Sequence, residues 1–365
     1  MKRRDFIAQL GGGVLAASSL AGTAARPLHA RAAGPSAQER PTFLDAMGEI
    51  RLTHSMDLLR EVLDSGTRMV CVTLTDPKVY GEAALDSALD DLLAYDAHIE
   101  EHSDVLMKGT GVADIDRARR EGKIVLFYLL QNTTPIHKDI ARVDMLYGLG
   151  LRSLQLTYNQ QNYVGAGCRE PGDHGLTVFG HEVVERMNEI GMLVDTSHAN
   201  MTTMADAIRA SSRPTIISHT ACQAVQEHVR NTTDANLRLL AEGGGLVGVC
   251  QIRPFLTTDK ADDNVRHYFD HIEHAVGVAG IDHVCIGSDR DHRVILDDPE
   301  EVRLLLEEEG SQFNPADWPL FMPRMNGPRR MEVVWDGLVG RGYSEDQVEK
   351  IMAGNLYRLY QEVIG

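Results

Sequence analysis

Two histidines and one aspartate, His198, His219 and Asp289, each follow a short apolar run of the sequence. If those runs are parallel strands of one barrel, the three side chains meet at the end where the strands terminate. Two neutral imidazoles and a carboxylate are ligands that Zn²⁺ or a similar divalent ion accepts. A hydrogen-bonded polar cluster is the alternative for such a set. The spacing therefore predicts either a metal centre or a polar network.

Further polar residues follow other apolar runs and belong to the same end of the predicted barrel. They are Glu49, Gln131, Tyr158 and Asn159. We interpret Glu49, Tyr158 and Asp289 as candidate acid–base groups, because carboxylates and phenols transfer protons in active sites. We interpret Gln131, Tyr158 and Asn159 as candidate substrate contacts, because amides and phenols form hydrogen bonds with polar ligands. These residues predict one polar pocket.

Eight apolar runs of strand length alternate with amphipathic helical stretches along the chain. The runs are residues 43–47, 69–74, 124–130, 153–157, 192–196, 215–218, 246–252 and 284–288. Most are continuously apolar, which is typical of strands covered on both faces of a parallel sheet. Eight such units favour a single-domain α/β fold, the closed (β/α)₈ or TIM barrel, over an open doubly wound sheet. The open sheet has no supporting glycine fingerprint, since the glycines at 243–245 precede a run instead of following one.

The first 30 residues have the composition of an export signal. Basic residues at 2–4 precede an apolar stretch over 10–25 that is rich in glycine and alanine. We predict a twin-arginine signal peptide over 1–30, a linker over 31–41 and the barrel over 42–365. A frayed helix on a cytoplasmic protein is the alternative. The signal interpretation places the mature protein in the periplasm without a stable membrane anchor.

Composition limits the partners of this protein. The formal net charge of −17, with no dense Lys/Arg run beyond the first residues, argues against nucleic acid and anionic lipid. The five cysteines are widely spaced without a CxxC pair, so neither a zinc knuckle nor a disulfide scaffold is predicted, and a single disulfide stays open. We expect a small molecule or a dipeptide as the ligand, and a homodimer stays open.

Four segments resemble the membrane (renal) dipeptidase family of the amidohydrolase superfamily. They are GLTVFGHEVVERMNEIGMLVDTSHANMTTMADAI (175–208), RPTIISHTA (213–221), HVRNTTDANL (228–237) and HVCIGSDRD (283–291). The resemblance extends over nearly all of the chain and implies a hydrolase barrel in which two zinc ions activate water against a dipeptide amide. It also implies that His198 and His219 bind one ion. Asp289 would bind the other ion and handle the proton, and Arg230 would hold the substrate carboxylate.

The sequence departs from this family at positions that the family uses for metal or substrate. Met47 and Glu49 stand where the family has a His-x-Asp pair. Gln131 stands where it has a bridging glutamate, and Tyr158 where it has a substrate-contacting histidine. A thioether is a weak ligand for Zn²⁺, and a neutral amide is a poor bridge between two dications. A binuclear centre is therefore not expected.

The remaining candidate ligands still favour a single metal site. Glu49 is one methylene longer than the aspartate it replaces, so its carboxylate could still reach one ion. We expect one divalent ion, Zn²⁺ or a similar metal, or none. The expected ligands are His198, His219, Glu49 and Asp289.

Three functions stay open for this pocket. The leading hypothesis is a periplasmic amide-bond hydrolase that acts on a dipeptide or a similar small carboxylated amide. The second is a metal-independent isomerase, lyase or maturation factor that uses Tyr158, Glu49 and Asp289 as acid–base groups. The third is a non-catalytic protein that binds a small ligand. Residues 290–328 follow the last run with weak periodicity, and we predict either a lid over the pocket or a disordered surface insertion.

Overall fold

The apolar runs of the sequence form parallel strands, because each run buries side chains on both of its faces. The computed structural model describes residues 41–261 and 263–365. The strands in this part of the chain are β1 (Phe43–Asp45), β2 (Thr67–Thr73), β3 (Leu106–Lys108), β4 (Ile124–Leu130), β5 (Leu151–Gln155), β6 (Leu193–Asp195), β7 (Ile216–Thr220), β8 (Leu246–Val249) and β9 (Val284–Ile286). All residues of β4 are buried, and every strand pairing is parallel.

The sheet closes into a barrel through hydrogen bonds between the ends of β9 and β1. The strand order around the sheet is β1-β2-β4-β5-β6-β7-β8-β9. The backbone N of Ala46 donates to the carbonyl of Ile286 at 2.9 Å. Just beyond the strands, the backbone N of Asp289 donates to the carbonyl of Met47 at 2.9 Å. The predicted single-domain (β/α)₈ barrel is confirmed.

One strand, β3, was not among the predicted runs. It pairs with the first half of β4 (Ile124 to Leu126), whereas β5 pairs with the second half (Tyr128 to Leu130). The short β3 therefore fills the gap beside β4 at the end of the barrel where the strands begin. Three residues are too few to produce a recognisable hydrophobic period, so the sequence gives no signal for this strand. The structure also moves β5 two residues upstream of the predicted run 153–157.

The helices connect successive strands and pack their apolar faces against the sheet. In the described ranges they are α1 (Met56–Asp64), α2 (Ala83–Glu101), α3 (Val112–Glu121), α4 (Ala141–Gly148), α5 (Val178–Ile190), α6 (Met201–Ala210), α7 (Asp234–Glu242), α8 (Arg253–Leu256), α9 (Arg266–Ala279), α10 (Pro299–Glu309), α11 (Arg330–Gly340), α12 (Glu345–Glu349) and α13 (Asn355–Val363). In α5, Val183, Val184 and Met187 form the buried face. The Thr177 hydroxyl caps its first turn, and Gly191 ends it at φ 77°.

The C-terminal helices cover the barrel end opposite the site. Ser344 and Gln347 form a capping box at the start of α12, and a π-helical turn over Lys350–Gly354 leads into α13. Tyr360 of α13 packs edge-on against Phe127 of β4, with ring centroids 4.9 Å apart. These contacts give the C-terminal helix a structural role at that end of the barrel.

A buried ion pair joins the first strand to α11. Asp45 accepts hydrogen bonds from the backbone N of Ser288 at 2.8 Å and from the Ser288 hydroxyl at 2.5 Å. The Arg330 guanidinium lies 3.7 Å from the same carboxylate, and both side chains are fully buried. Burial raises the pKa of Asp45 to about 6, although the Arg330 charge and the Ser288 bonds act in the opposite direction.

This raised pKa predicts a pH-dependent contribution of Asp45 to stability. The folded chain holds the Asp45 proton more tightly than the unfolded chain, so the contribution is present below pH 4 and is lost as the pH rises through 6. We expect wild type to lose stability relative to Asp45→Asn over this interval. Urea denaturation of both proteins between pH 4 and pH 7 measures the difference. A difference that does not change with pH would contradict the prediction.

Several expectations concern parts of the chain outside this description. The predicted signal peptide over 1–30 and nearly all of the linker over 31–41 lie outside the described residues. Among the described helices, none combines the length and apolar character needed to cross a bilayer. All five cysteines lie in the described ranges, and all are free.

Candidate functional site

His198 and His219 face each other at the mouth, the barrel end where the strands terminate. His198 follows β6 and His219 lies in β7, and their Nε2 atoms are 2.9 Å apart. Both side chains are buried. Burial, together with the positive charge of Arg230, lowers the pKa of each imidazole well below its ordinary value. Both rings are therefore neutral at pH 7.

Hydrogen bonds on the far side of each ring assign its proton to Nδ1. His198 Nδ1 lies 2.8 Å from Asn159 Oδ1, an atom that only accepts. His219 Nδ1 lies 2.8 Å from the Ser218 hydroxyl, which donates its own proton to Asp195 at 2.5 Å. The two Nε2 lone pairs therefore point at each other, and they repel unless a proton or a cation lies between them. Outer hydrogen bonds of this kind are characteristic of metal-ligating histidines.

Tyr158 and Arg230 border the histidine pair on two sides. The Tyr158 ring stacks on His198 with centroids 4.2 Å apart and an interplanar angle of 25°. Arg230 donates to the backbone carbonyl of His219 at 3.2 Å, and its guanidinium lies 5.4 Å from the Phe255 ring centroid. Arg230 is buried, and among the described residues its Nε has no hydrogen-bond partner. A buried donor without a partner is destabilising, so this atom marks a place where an acceptor could bind.

Glu49 belongs to a separate ion-pair network that we call the Arg51 cluster, formed by Glu49, Arg51, Asp291, Glu308 and His54. The Arg51 guanidinium lies 2.6 Å from Glu49, 2.9 Å from Asp291 and 3.0 Å from Glu308. His54 Nε2 lies 2.9 Å from Asp291. Burial alone would raise the pKa of Asp291, but the His54 hydrogen bond and the Arg51 charge hold it well below its usual range. The Arg51 guanidinium thus neutralises the carboxylate of Glu49, which was predicted to bind metal.

Asp289 and Gln131 lie at the mouth after two strands, β9 and β4, that β1 and β2 separate in the closed barrel. Asp289 follows β9 and is half-buried, and Gln131 follows β4 and is buried. Gln131 accepts a hydrogen bond on its backbone carbonyl from Gln155 Nε2 at 2.6 Å. Asp289 has φ 55° and His198 has φ 63°, values in the left-handed region that side chains other than glycine rarely adopt. Two predicted site residues thus carry backbone strain.

Some of the predicted metal ligands lie where they could bind one ion, and others do not. The described ranges contain no group of three or more His, Cys, Asp or Glu side chains that could surround one ion. The predicted ligands His198, His219, Glu49 and Asp289 therefore do not surround one place. The carboxylate of Glu49 is paired with Arg51 instead. Met47 is packed in the barrel core. What fits a metal is the histidine pair, with two ligand nitrogens that point at one place.

A segment after the last strand extends over the mouth. We call residues 299–313 the cover segment; it comprises α10 and the turn that follows, within the predicted lid. Its Glu308 contacts Arg51 at 3.0 Å, and its Gln312 accepts a hydrogen bond from Asn159 Nδ2 at 2.8 Å. These contacts place the segment against residues of two different sectors of the mouth.

Three residues that support the site were not among the predicted site residues. Asp195 and Ser218 orient His219, and Arg51 holds Glu49. Burial raises the pKa of Asp195, and the Ser218 hydroxyl opposes this effect. The sequence does contain a signal for Asp195, because an acidic residue that ends an apolar run needs a buried partner. Arg51 could have been found as a cation two residues beyond Glu49.

The closed parallel barrel and the buried histidine pair at its mouth define a protein of the amidohydrolase superfamily type. Residues 38–309 match the model of the family described as membrane dipeptidase, peptidase family M19. The chain belongs to this family.

Individual relatives agree with this assignment. Dipeptidase verJ of Clonostachys rogersoniana is 32% identical over 216 residues, which are 58% of this chain and 55% of verJ. Dipeptidase tcpJ of Claviceps purpurea is 31% identical over 268 residues, 73% of this chain and 57% of tcpJ. The crystal structure of an amidohydrolase from Pseudomonas aeruginosa is 27% identical with a TM-score of 0.78, covering 90% of this chain and 98% of that one. The chain spans about half the length of the curated relatives it matches.

Proposed function

We propose that this protein hydrolyses the amide bond of a dipeptide or of a similar small carboxylated amide. The observation that carries the proposal is the neutral histidine pair, His198 and His219, which meets at 2.9 Å beside the buried Arg230. Family membership and the relatives named as dipeptidases support the same reaction. The two Nε2 atoms of the histidine pair can bind a metal ion or share a proton. The buried guanidinium of Arg230, at the same mouth, can bind a substrate carboxylate.

One divalent ion, Zn²⁺ or a similar metal, is the cofactor we propose for the histidine pair. His198 and His219 would hold it through Nε2. The hydrogen bonds that their Nδ1 atoms donate to Asn159 and Ser218 leave both Nε2 atoms unprotonated. When bound, such an ion polarises the amide carbonyl and lowers the pKa of water. Glu49 is not assigned as a ligand, because Arg51 already neutralises its carboxylate.

The remaining residues have separate roles in this proposal. Arg230 binds the substrate carboxylate, since its buried guanidinium has an Nε donor to satisfy and lies over the Phe255 ring. Asp289 accepts the proton of the attacking water and returns it to the leaving amine. Tyr158 holds His198 by stacking and presents its phenol to the substrate. Gln131, beyond β4, contacts the substrate from the neighbouring sector.

Replacing Arg230 with glutamine tests the carboxylate contact. A hydrogen bond between charged groups contributes about 1.5–3 kcal/mol, so we expect KM for a dipeptide to rise roughly 10- to 100-fold with a smaller change in kcat. Steady-state kinetics on a dipeptide and on its C-terminal amide measure the effect. The amide should be hydrolysed equally by both proteins. If the variant loses the same factor on both substrates, Arg230 does not bind the carboxylate.

We also propose that the mature protein acts in the periplasm after twin-arginine export. The support is the basic, apolar and small-residue pattern over residues 1–30. A fusion of this segment to a reporter that is active only after folded export tests the location. Lysine at both Arg3 and Arg4 is the control, and export that survives this change would contradict the pathway.

The hydrolase proposal itself is tested by metal analysis together with a dipeptide panel. The full chain is purified from a host with twin-arginine export, its Zn, Mn and Fe are quantified, and turnover is measured before and after metal addition. We expect about one ion per chain and hydrolysis that stops when the ion is chelated. No stoichiometric metal and no turnover after metal addition would overturn the proposal and favour the metal-independent acid–base or ligand-binding alternatives.

A further inference from the structure

A chain of hydrogen bonds runs from the cover segment to the histidine pair. Gln312 Oε1 accepts from Asn159 Nδ2 at 2.8 Å. Asn159 Oδ1 accepts from His198 Nδ1 at 2.8 Å, and His198 Nε2 lies 2.9 Å from His219 Nε2. Gln312 lies 153 residues beyond Asn159 in the sequence, so the cover segment alone brings this partner to the mouth.

Asn159 is the member of this chain that contacts His198 directly, and its flat side-chain amide has two chemically different ends. Its Nδ2 only donates and its Oδ1 only accepts, and a rotation of the amide exchanges them. Gln312 binds the donor end, which leaves the acceptor end for His198. The Cys168 thiol also donates to Asn159 Oδ1, at 3.3 Å. The orientation of the Asn159 amide therefore depends on the Gln312 amide, which presents Oε1 to Nδ2, and on the Cys168 thiol, which donates to Oδ1.

The orientation of this amide decides where His198 carries its proton. With Oδ1 toward the ring, Nδ1 must be protonated and Nε2 keeps its lone pair for the site. With Nδ2 toward the ring, Nδ1 must accept, and the proton of the neutral ring moves to Nε2. A protonated Nε2 cannot bind a cation at the place where it meets His219.

We propose that Gln312 is a positioning residue that fixes the tautomer of His198 through Asn159, so that the imidazole pair is ready only when the cover segment is closed. The inference rests on the histidine pair being the functional group of the proposed hydrolase. It concerns which nitrogen of His198 carries the proton and not the identity of the substrate.

Two further contacts tie the cover segment to the site. Arg169 donates to the backbone carbonyl of Gln312 at 2.8 Å. Phe313 stacks on Phe255 with centroids 5.5 Å apart, and Phe255 is the ring beneath Arg230. Adjacent residues of one segment therefore reach both the group that orients His198 and the group that supports the arginine. The cover segment therefore contacts the surroundings of both Arg230 and His198.

The test is the tautomer of His198 in the full chain labelled with ¹⁵N-histidine. Protonated and unprotonated ring nitrogens have well separated ¹⁵N shifts, and the His198 signals are assigned by their loss in His198→Asn. We expect wild type to show a protonated Nδ1, and Gln312→Leu to show a substantial Nε2-protonated population. Gln312→Glu should restore the wild-type signals, because its carboxylate also accepts from Asn159 Nδ2. Titration with Zn²⁺ alone should show affinity lower by roughly 10- to 100-fold in the leucine variant.

The control is Gln160→Leu, the same change at an exposed glutamine next to Asn159. It should leave both the His198 signals and the Zn²⁺ affinity unchanged. If Gln312→Leu does not fold, Gln312→Asn removes the same contact by shortening the side chain. Unchanged His198 signals in the folded variants, or equal shifts in the leucine and glutamate variants, would overturn the inference. A tautomer change in a protein without dipeptide hydrolysis would support this inference while the proposed function fails.

Discussion

Replacing His219 with asparagine is expected to lower kcat/KM for dipeptide hydrolysis by about 10²- to 10⁴-fold, the range that positioned catalytic groups contribute. His219 supplies one of the two facing Nε2 atoms, 2.9 Å from its partner, and no third His, Cys, Asp or Glu of the described ranges joins the pair. A site with only two such nitrogens has no substitute when one is removed. We therefore expect the bound metal to fall well below one ion per chain as well.

The measurement combines steady-state kinetics with metal analysis of the purified variant. His181→Asn is the matched control, because His181 is exposed on α5 and lies away from the mouth. It should retain wild-type activity and metal content. A His219→Asn variant with near wild-type turnover would rule out the histidine pair as the functional centre. It would favour Asp289 and Tyr158 as the catalytic groups.

Replacing Arg51 with methionine is expected to lower the free energy of unfolding by about 3 kcal/mol, the lower end of the cost of breaking a buried ion pair. The guanidinium contacts Glu49, Asp291 and Glu308 within 3.0 Å, and the Asp291 side chain is only 5% exposed. Without the Arg51 guanidinium, the three carboxylates would repel each other, and water would screen this repulsion only in part because the side chains are largely buried. The lower end applies because Arg51, Glu49 and Glu308 retain 18–19% exposure.

Urea denaturation of the full chain at pH 7 measures this loss. Arg60→Met is the control, because Arg60 forms a single ion pair with Asp104 at 3.3 Å and both side chains are more than half exposed. An exposed pair contributes at most about 1 kcal/mol, so the control should be nearly neutral. Equal effects of the two substitutions would show that the Arg51 cluster is no stronger than an ordinary surface pair.

The barrel could be predicted from sequence because its signal is local and repeated. Each of the eight runs is apolar over several consecutive residues, as in β4, and such runs are recognisable without knowing their neighbours. His198, His219 and Asp289 were found for the same reason, since each stands within two residues of the end of a run. The short β3 was missed because its three residues carry no periodic pattern.

The chemistry of the mouth was harder to predict because it depends on pairs that are distant in the sequence. Arg51 stands only two residues beyond Glu49, but nothing local indicates that Arg51 also meets Glu308, 257 residues away. Glu49 was predicted as a metal ligand because its carboxylate could still reach one ion, whereas the structure pairs that carboxylate with Arg51. The contact between Gln312 and Asn159 likewise depends on how the cover segment folds back, which no periodicity encodes.

The left-handed backbone at His198 and Asp289 has a consequence for how the chain tolerates mutation. A residue other than glycine at φ 63° or φ 55° is destabilised by roughly 1 kcal/mol, so glycine at either position would relax the backbone. A chain under pressure for stability alone would drift toward glycine at these places. This chain instead holds an imidazole and a carboxylate at these two places, at a cost in stability that glycine would remove.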